Sequence, residues 1–106
     1  MSDRIRKINA FLKHEVAKCL EMQDFSGLVT VKAIEASRDL KLAEVWISVL
    51  GDEEEVLSEI EGNKKHIQKT INSKMQTKNV PCLLFRIDHS GEHAQRIEKL
   101  IKNEEN

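Results

Sequence analysis

Aromatic side chains are scarce in this chain, which has one Trp, three Phe and no Tyr in 106 residues. A core without them has to be built from Ile, Leu and Val, and a chain of this length supports one domain around one such core. One Pro and four Gly exclude a linker or a low-complexity segment, and no internal repeat is present. No run approaches the ~18 consecutive apolar residues of a membrane-spanning helix. The start, Met1-Ser2-Asp3-Arg4, lacks the apolar stretch of a signal peptide. The expectation is a cytoplasmic protein without membrane contact. Cys19 and Cys82 show neither a CxxC spacing nor a companion His pattern, so no zinc site and no disulfide are expected, and both read as small buried thiols.

Catalytic signatures are missing as well. There is no HExxH, P-loop or GxGxxG, and none of the serines at 2, 26, 37, 48, 58, 73 and 90 sits in a nucleophile-elbow context. His89 and His93 lie four apart beside Asp88, but across a predicted strand-to-helix junction with no thiol nearby, and they read as surface residues. His14 and His66 are isolated. No set of residues offers a nucleophile, a base and an orienting group together, so neither an enzyme nor a cofactor is expected.

What the chain does have is a β-rich stretch from Gly27 to Gly51, two runs joined by the polar connector Ser37-Arg38-Asp39-Leu40-Lys41. In the second run Ala43, Val45, Ile47 and Val49 alternate with Glu44, Trp46, Ser48 and Leu50, the period-2 pattern of a strand with one face on a core. The first run, Leu28 to Ala36, alternates less cleanly, and a bulge is expected near Lys32 to Ile34. Asp39 is read as a turn-stabilising carboxylate.

On either side of this hairpin the period is helical. Ile5, Ile8, Leu12, Val16 and Cys19, flanked by Phe11 and Leu20, predict an amphipathic helix over 3–22, capped by Asp3. After Gly51-Asp52, a helix begins with Glu53-Glu54-Glu55 in its first turn. Its apolar positions, Val56, Leu57 and Ile60, then Ile67, Ile71 and Met75, are interrupted by Gly62-Asn63-Lys64-Lys65. Gly and Asn are poor helix-interior residues, so a kink that divides this region into two helices is expected there. A third strand is predicted over 80–88, with Leu83, Phe85 and Ile87 on one face, Cys82, Leu84 and Arg86 on the other, and Pro81 at its start or on an edge. A last helix, capped by Ser90, is predicted over 91–103, with a frayed tail over 102–106.

The resulting order, α-β-β-α-(kink)-α-β-α, implies one α+β domain spanning 1–106. Its sheet would be mixed and three-stranded, with the third strand parallel to the second, a right-handed crossover and the helices on one face. That order is the one of a type II KH domain, an RNA-binding fold whose helix-loop-helix carries a GXXG loop. Here Gly62-Asn63-Lys64-Lys65 stands at the corresponding place.

A net charge of −1 argues against a nucleic-acid partner until its distribution is considered. Residues 52–61 hold six carboxylates and no base, whereas residues 62–87 hold six bases and no carboxylate: Lys64, Lys65, Lys69, Lys74, Lys78 and Arg86. A phosphate responds to local potential, which decays over roughly 8 Å at physiological salt. A solvated helix with acids at its N-terminus and bases at its C-terminus accounts for the same pattern.

The residues Gly27-Leu28-Val29-Thr30-Val31, Ser37-Arg38-Asp39-Leu40, Ala43-Glu44-Val45-Trp46-Ile47-Ser48-Val49-Leu50-Gly51, Val80-Pro81, Phe85, Asp88 and Arg96-Ile97 recur together, in this order, in bacterial ribosome-binding factor A. The chain resembles that family over nearly its full length. It departs at the crossover, where an Ala-x-Gly kink is replaced by Asn63-Lys64-Lys65 after Gly62, and at Trp46, where a smaller aromatic is usual. The resemblance implies a non-enzymatic assembly factor that binds the free small (30S) ribosomal subunit and its 16S ribosomal RNA late in maturation. It further implies a role in 5′-end processing and in cold adaptation, action alongside ribosome-associated GTPases, and a monomer. Lys64, Lys65, Lys69, Lys74 and Lys78 are then the candidate phosphate contacts. Arg38 at the hairpin tip and Arg4, Arg6 and Lys7 on the first helix are further candidates. The alternative is a small α/β module that docks protein through its exposed sheet face, with Trp46 as anchor.

Overall fold

A computed structural model describes residues 3–75 and 80–89 of the chain. Its elements run α1 (Asp3–Glu21), β1 (Leu28–Ala36), β2 (Leu42–Leu50), α2 (Glu53–Lys74) and β3 (Cys82–Ile87). The three strands form one sheet in the order β1-β2-β3, with β1 antiparallel and β3 parallel to β2. This is the α+β mixed sheet that the hairpin and the long crossover require. The predicted bulge is present: pairing shifts between Val31 and Ala33, leaving Lys32 as the extra residue. The shift keeps Val31, Ile34 and Ala36 on the core face despite the broken alternation.

One correction concerns the crossover. α2 runs unbroken from Glu53 to Lys74, so the Gly62-Asn63-Lys64-Lys65 stretch does not divide it. Val56, Ile60, Ile67 and Ile71 all have no solvent exposure, and their i, i+4, i+11, i+15 spacing keeps one helical face continuous through the gap. Fully burying each such side chain is worth about 1.5–3 kcal/mol, against roughly 1 kcal/mol for a helical Gly. Asn63 also helps, because its Nδ2 donates to the Glu59 carbonyl 2.9 Å away, one turn back. Gly62 faces open space, so nothing there forces a bend.

α1 contributes Leu12, Val16 and Leu20 to the same buried cluster, which β1, β2 and β3 complete with Ile34, Ala36, Ala43, Val45, Ile47, Leu83 and Phe85. Both described helices therefore cover one face of the sheet. The other face carries Leu28, Leu42 and Leu50, exposed by 65%, 45% and 75%. α1 is tied to the hairpin where Asn9 Oδ1 accepts the Ala36 amide at 2.9 Å. The loop before β1 is tied to α2 where Glu59 accepts the Ser26 backbone amide and hydroxyl.

Two glycines close the open end of the hairpin. A Cβ on Gly27 would lie 2.7 Å from the Leu50 carbonyl oxygen, and Gly51 sits at φ +136, close against Gly27. At the outer edge, Gln68 of α2 stands in for a missing strand. Its Oε1 accepts the Leu83 amide and its Nε2 donates to the Pro81 carbonyl, both at 3.0 Å. Pro81 lies buried just ahead of β3, where its missing amide costs the ladder nothing. Cys82 is exposed rather than buried, because it starts the strand on the open face; Cys19 is half-buried, and both are free. The predicted last helix over 91–103 and the tail 102–106 lie outside the described residues.

Two stability changes follow. Gln68→Leu strands the Leu83 amide beside a fully buried side chain and lowers stability by about 1–3 kcal/mol in urea unfolding. Gly27→Ala forces a backbone shift at the hairpin base, with a loss of about 1–3 kcal/mol by the same measurement. An unchanged midpoint in either variant contradicts the corresponding contact.

Candidate nucleic-acid interface

α2 carries a charge gradient along its length. Asp52 caps its N-terminus by accepting the Glu55 amide at 3.1 Å, and Glu53, Glu54 and Glu55 fill the first turn, where the helix dipole favours them. Within α2 no carboxylate follows Glu61. The bases beyond it do not share one face. Lys65 and Lys69, four residues apart, are exposed on the side away from the buried seam, and neither forms an ion pair among the described residues. Lys64 lies four residues after Ile60 and three before Ile67, so it falls on the shoulder of the seam and is half-buried. Such a lysine lays its stem along apolar surface and sends its ammonium outward.

Lys74 has a structural partner. Its Nζ lies 2.9 Å from Glu15 Oε2 on α1, joining the two helices near the end of α2. The hydrogen bond from Lys74 holds the Glu15 carboxyl below the usual carboxylate range, and the same bond holds the Lys74 ammonium above its own. Lys78 lies outside the described residues. Of the three α1 candidates, Arg6 pairs with Asp3 at 3.2 Å, with both side chains largely in solvent. Arg4 and Lys7 are exposed without an ion pair among the described residues.

Arg38 stands at the hairpin tip, projected by a tightly built turn. Ser37 and Leu42 pair through the Ser37 amide and the Leu42 carbonyl at 2.8 Å, and the Leu40 amide donates to the Ser37 carbonyl at 2.9 Å. Asp39 Oδ1 accepts from Ser37 Oγ at 2.6 Å and from the Lys41 amide at 3.1 Å. Those bonds, the Ser37 hydroxyl first, lower the Asp39 pKa. Leu40 takes a positive φ of 58 and its half-buried side chain packs on the core. Asp39 thus has the turn role read from the sequence.

The open sheet face has a different character. Glu35 and Glu44 are paired in register on β1 and β2. Arg86 answers only one of them, its Nε 2.8 Å from Glu44 Oε2, while its guanidinium lies 6.0 Å from the Trp46 ring centre. Glu35, Glu44 and Arg86, with Leu42 and Leu84, line a shallow groove of ≈ 310 Å³. Two facing carboxylates repel phosphate, so Arg86 is not part of a free basic surface. Lys65 and Lys69 lie on the helical side instead.

The sequence model of the family "Ribosome-binding factor A" matches residues 4–101. The chain belongs to the ribosome-binding factor A family. Among its relatives, ribosome-binding factor A of Halothermothrix orenii is 37% identical over 105 residues, covering 93% of this chain and 86% of that protein. Ribosome-binding factor A of Chlorobaculum tepidum is 36% identical, covering 97% of this chain and 92% of that protein. The crystal structure of ribosome-binding factor A from Thermus thermophilus superposes with a TM-score of 0.75 at 19% identity, covering 81% of this chain and 97% of that one. In the hairpin, Gly27 and Gly51 close the base, while Ser37 and Asp39 build the tip.

Sequence reasoning did not find Glu15 as the partner of the candidate Lys74, or Gln68 as the cap on the edge of β3. Nothing in the local pattern signals them, because each contact joins elements far apart in the chain. The Glu15–Lys74 pair carries a pH dependence. Glu15 has a lowered pKa in the folded state, so its contribution is complete above the unfolded value, about 4.3, and is lost as pH falls through the folded value. Lys74 keeps its contribution through neutral pH. Glu15→Gln should therefore lose less stability between pH 7 and pH 3 than the parent does. Identical acid slopes in thermal melts would remove the pair from the account.

Proposed function

We propose that this chain is a ribosome assembly factor that binds the free small ribosomal subunit through its 16S ribosomal RNA late in maturation. The observation that carries the reading is family membership over residues 4–101, joined to an outward helical face that presents Lys65 and Lys69 with no carboxylate in the sequence from Gly62 to Ile87. Coordinates of the Thermus thermophilus factor, fitted into a cryo-EM map of its complex with 30S, share this fold with a TM-score of 0.66 at 21% identity, covering 76% of this chain and 91% of that one. For that relative, the complex places the fold on the small subunit.

The proposed action is differential binding without catalysis. Phosphate contacts favour one conformation of an immature RNA, and rearrangement of that RNA weakens them and frees the factor. Lys64, Lys65 and Lys69 are the proposed contacts on α2, with Arg38, Arg4 and Lys7 as outlying ones. Lys74 would bind through the donors that Glu15 leaves free. Aid to 5′-end processing, a role in the cold, release by ribosome-associated GTPases, a monomeric state and a cytoplasmic location complete the proposal. One observation favours a second reading, docking of protein: Leu28, Leu42 and Leu50 are exposed on the open sheet face beside Trp46.

Binding to purified small subunits across a salt series separates the two. For the RNA reading, log K falls steeply with log salt, and Lys65→Gln with Lys69→Gln makes the slope shallower by about 2. A slope indifferent to both salt and substitution moves the contact to the sheet face. Absence of binding removes the assembly-factor proposal.

A further inference from the structure

A groove of ≈ 380 Å³ lies between α1 and the end of α2, lined by Lys7, Ile8, Phe11, Lys74 and Met75. Its walls come from residues more than sixty positions apart in the chain. Phe11 is 37% exposed there, while Ile8 and Met75 are half-buried against the core. Phe11 stands between Lys7, four residues before it on α1, and Glu15, four after it. Glu15 anchors Lys74 across the groove at 2.9 Å, so that ammonium is fixed in place with two of its three N–H donors left over. Lys7 has no ion pair among the described residues.

An apolar, aromatic floor between two cations matches a ligand that is flat and apolar in one part and anionic in another. A nucleotide of single-stranded RNA has that chemistry: an unstacked base covers an aromatic ring while its flanking phosphates meet lysines. The groove's size, at the lower end of small-ligand sites, suits one base with its sugar. Duplex RNA has no free base face to offer.

We propose that this groove binds one unstacked nucleotide of single-stranded RNA, with its base on Phe11 and its phosphates on Lys7 and Lys74. The proposal rests on the RNA-binding reading above and adds a strand preference to it. The α2 face with Lys65 and Lys69 senses phosphates of any RNA; the groove accepts only a base released from pairing. A factor built this way distinguishes an unpaired stretch of ribosomal RNA from the same stretch once it has paired.

The test uses the full chain with a fluorescein-labelled decaadenylate, a fluorescein-labelled blunt RNA duplex of G–C-rich sequence that stays paired at the concentrations used, and small subunits. Single-strand affinity should fall roughly tenfold in Phe11→Leu, the size of one stacked base, and should also fall in Lys7→Gln, an exposed change that does not threaten folding. Affinity for the duplex should change little in Phe11→Leu. Equal single-strand binding by the parent, Phe11→Leu and Lys7→Gln overturns the groove proposal. If Lys65→Gln with Lys69→Gln still weakens small-subunit binding, the RNA reading stands without the groove. A Phe11→Leu protein that loses small subunits but binds the decaadenylate as the parent does also overturns it, and assigns the groove to a protein contact.

Discussion

The seam formed by Val56, Ile60, Ile67 and Ile71 against the sheet is the constraint on which the rest of this molecule depends. It holds α2 straight through Gly62-Asn63, because four fully buried aliphatic side chains outweigh two weak helix formers. With the helix continuous, the direction of every other side chain on it is fixed. Lys65 and Lys69 point to solvent, Lys64 lies along the shoulder, and Lys74 arrives beside α1. The distribution of charge in space is a consequence of burial.

The same continuity organises the polar contacts. Gln68 can cap the edge of β3 only because the helix carries it past Pro81 and Leu83 in register. Glu15 meets Lys74 only because α1 and α2 pack on the same sheet face. The molecule thus has two unlike surfaces. The helical side offers lysines and a small aromatic groove, and the sheet side offers opposed carboxylates, a tied arginine and exposed leucines. On the sheet side Glu35 and Glu44 face each other across one strand pair.

The resemblance to the family rests on short motifs whose physical roles differ. Gly27 and Gly51 are required by close approach and by a positive φ at the base of the hairpin. Ser37 and Asp39 satisfy the backbone of its turn. The alternating run Ala43 to Val49 supplies the core face of the central strand. Each of these motifs builds the shape of the hairpin, and that shape bears Arg38 at its tip.

Local sequence determined the α1 helix, the hairpin with its bulge, the edge position of Pro81 and the parallel third strand, because period, turn residues and crossover length each act over a few neighbours. It misjudged the crossover, where weak local helix formers suggested a break that long-range burial removed. Lys64, Lys65, Lys69 and Lys74 belong, with Lys78, to the one cluster that it named from proximity in the chain. Only the tertiary structure could separate them, since facing direction depends on which side of α2 the sheet occupies. Likewise, Lys7, Phe11, Lys74 and Met75 form one groove because two helices pack side by side, and contacts between residues more than sixty positions apart leave no mark on either local pattern.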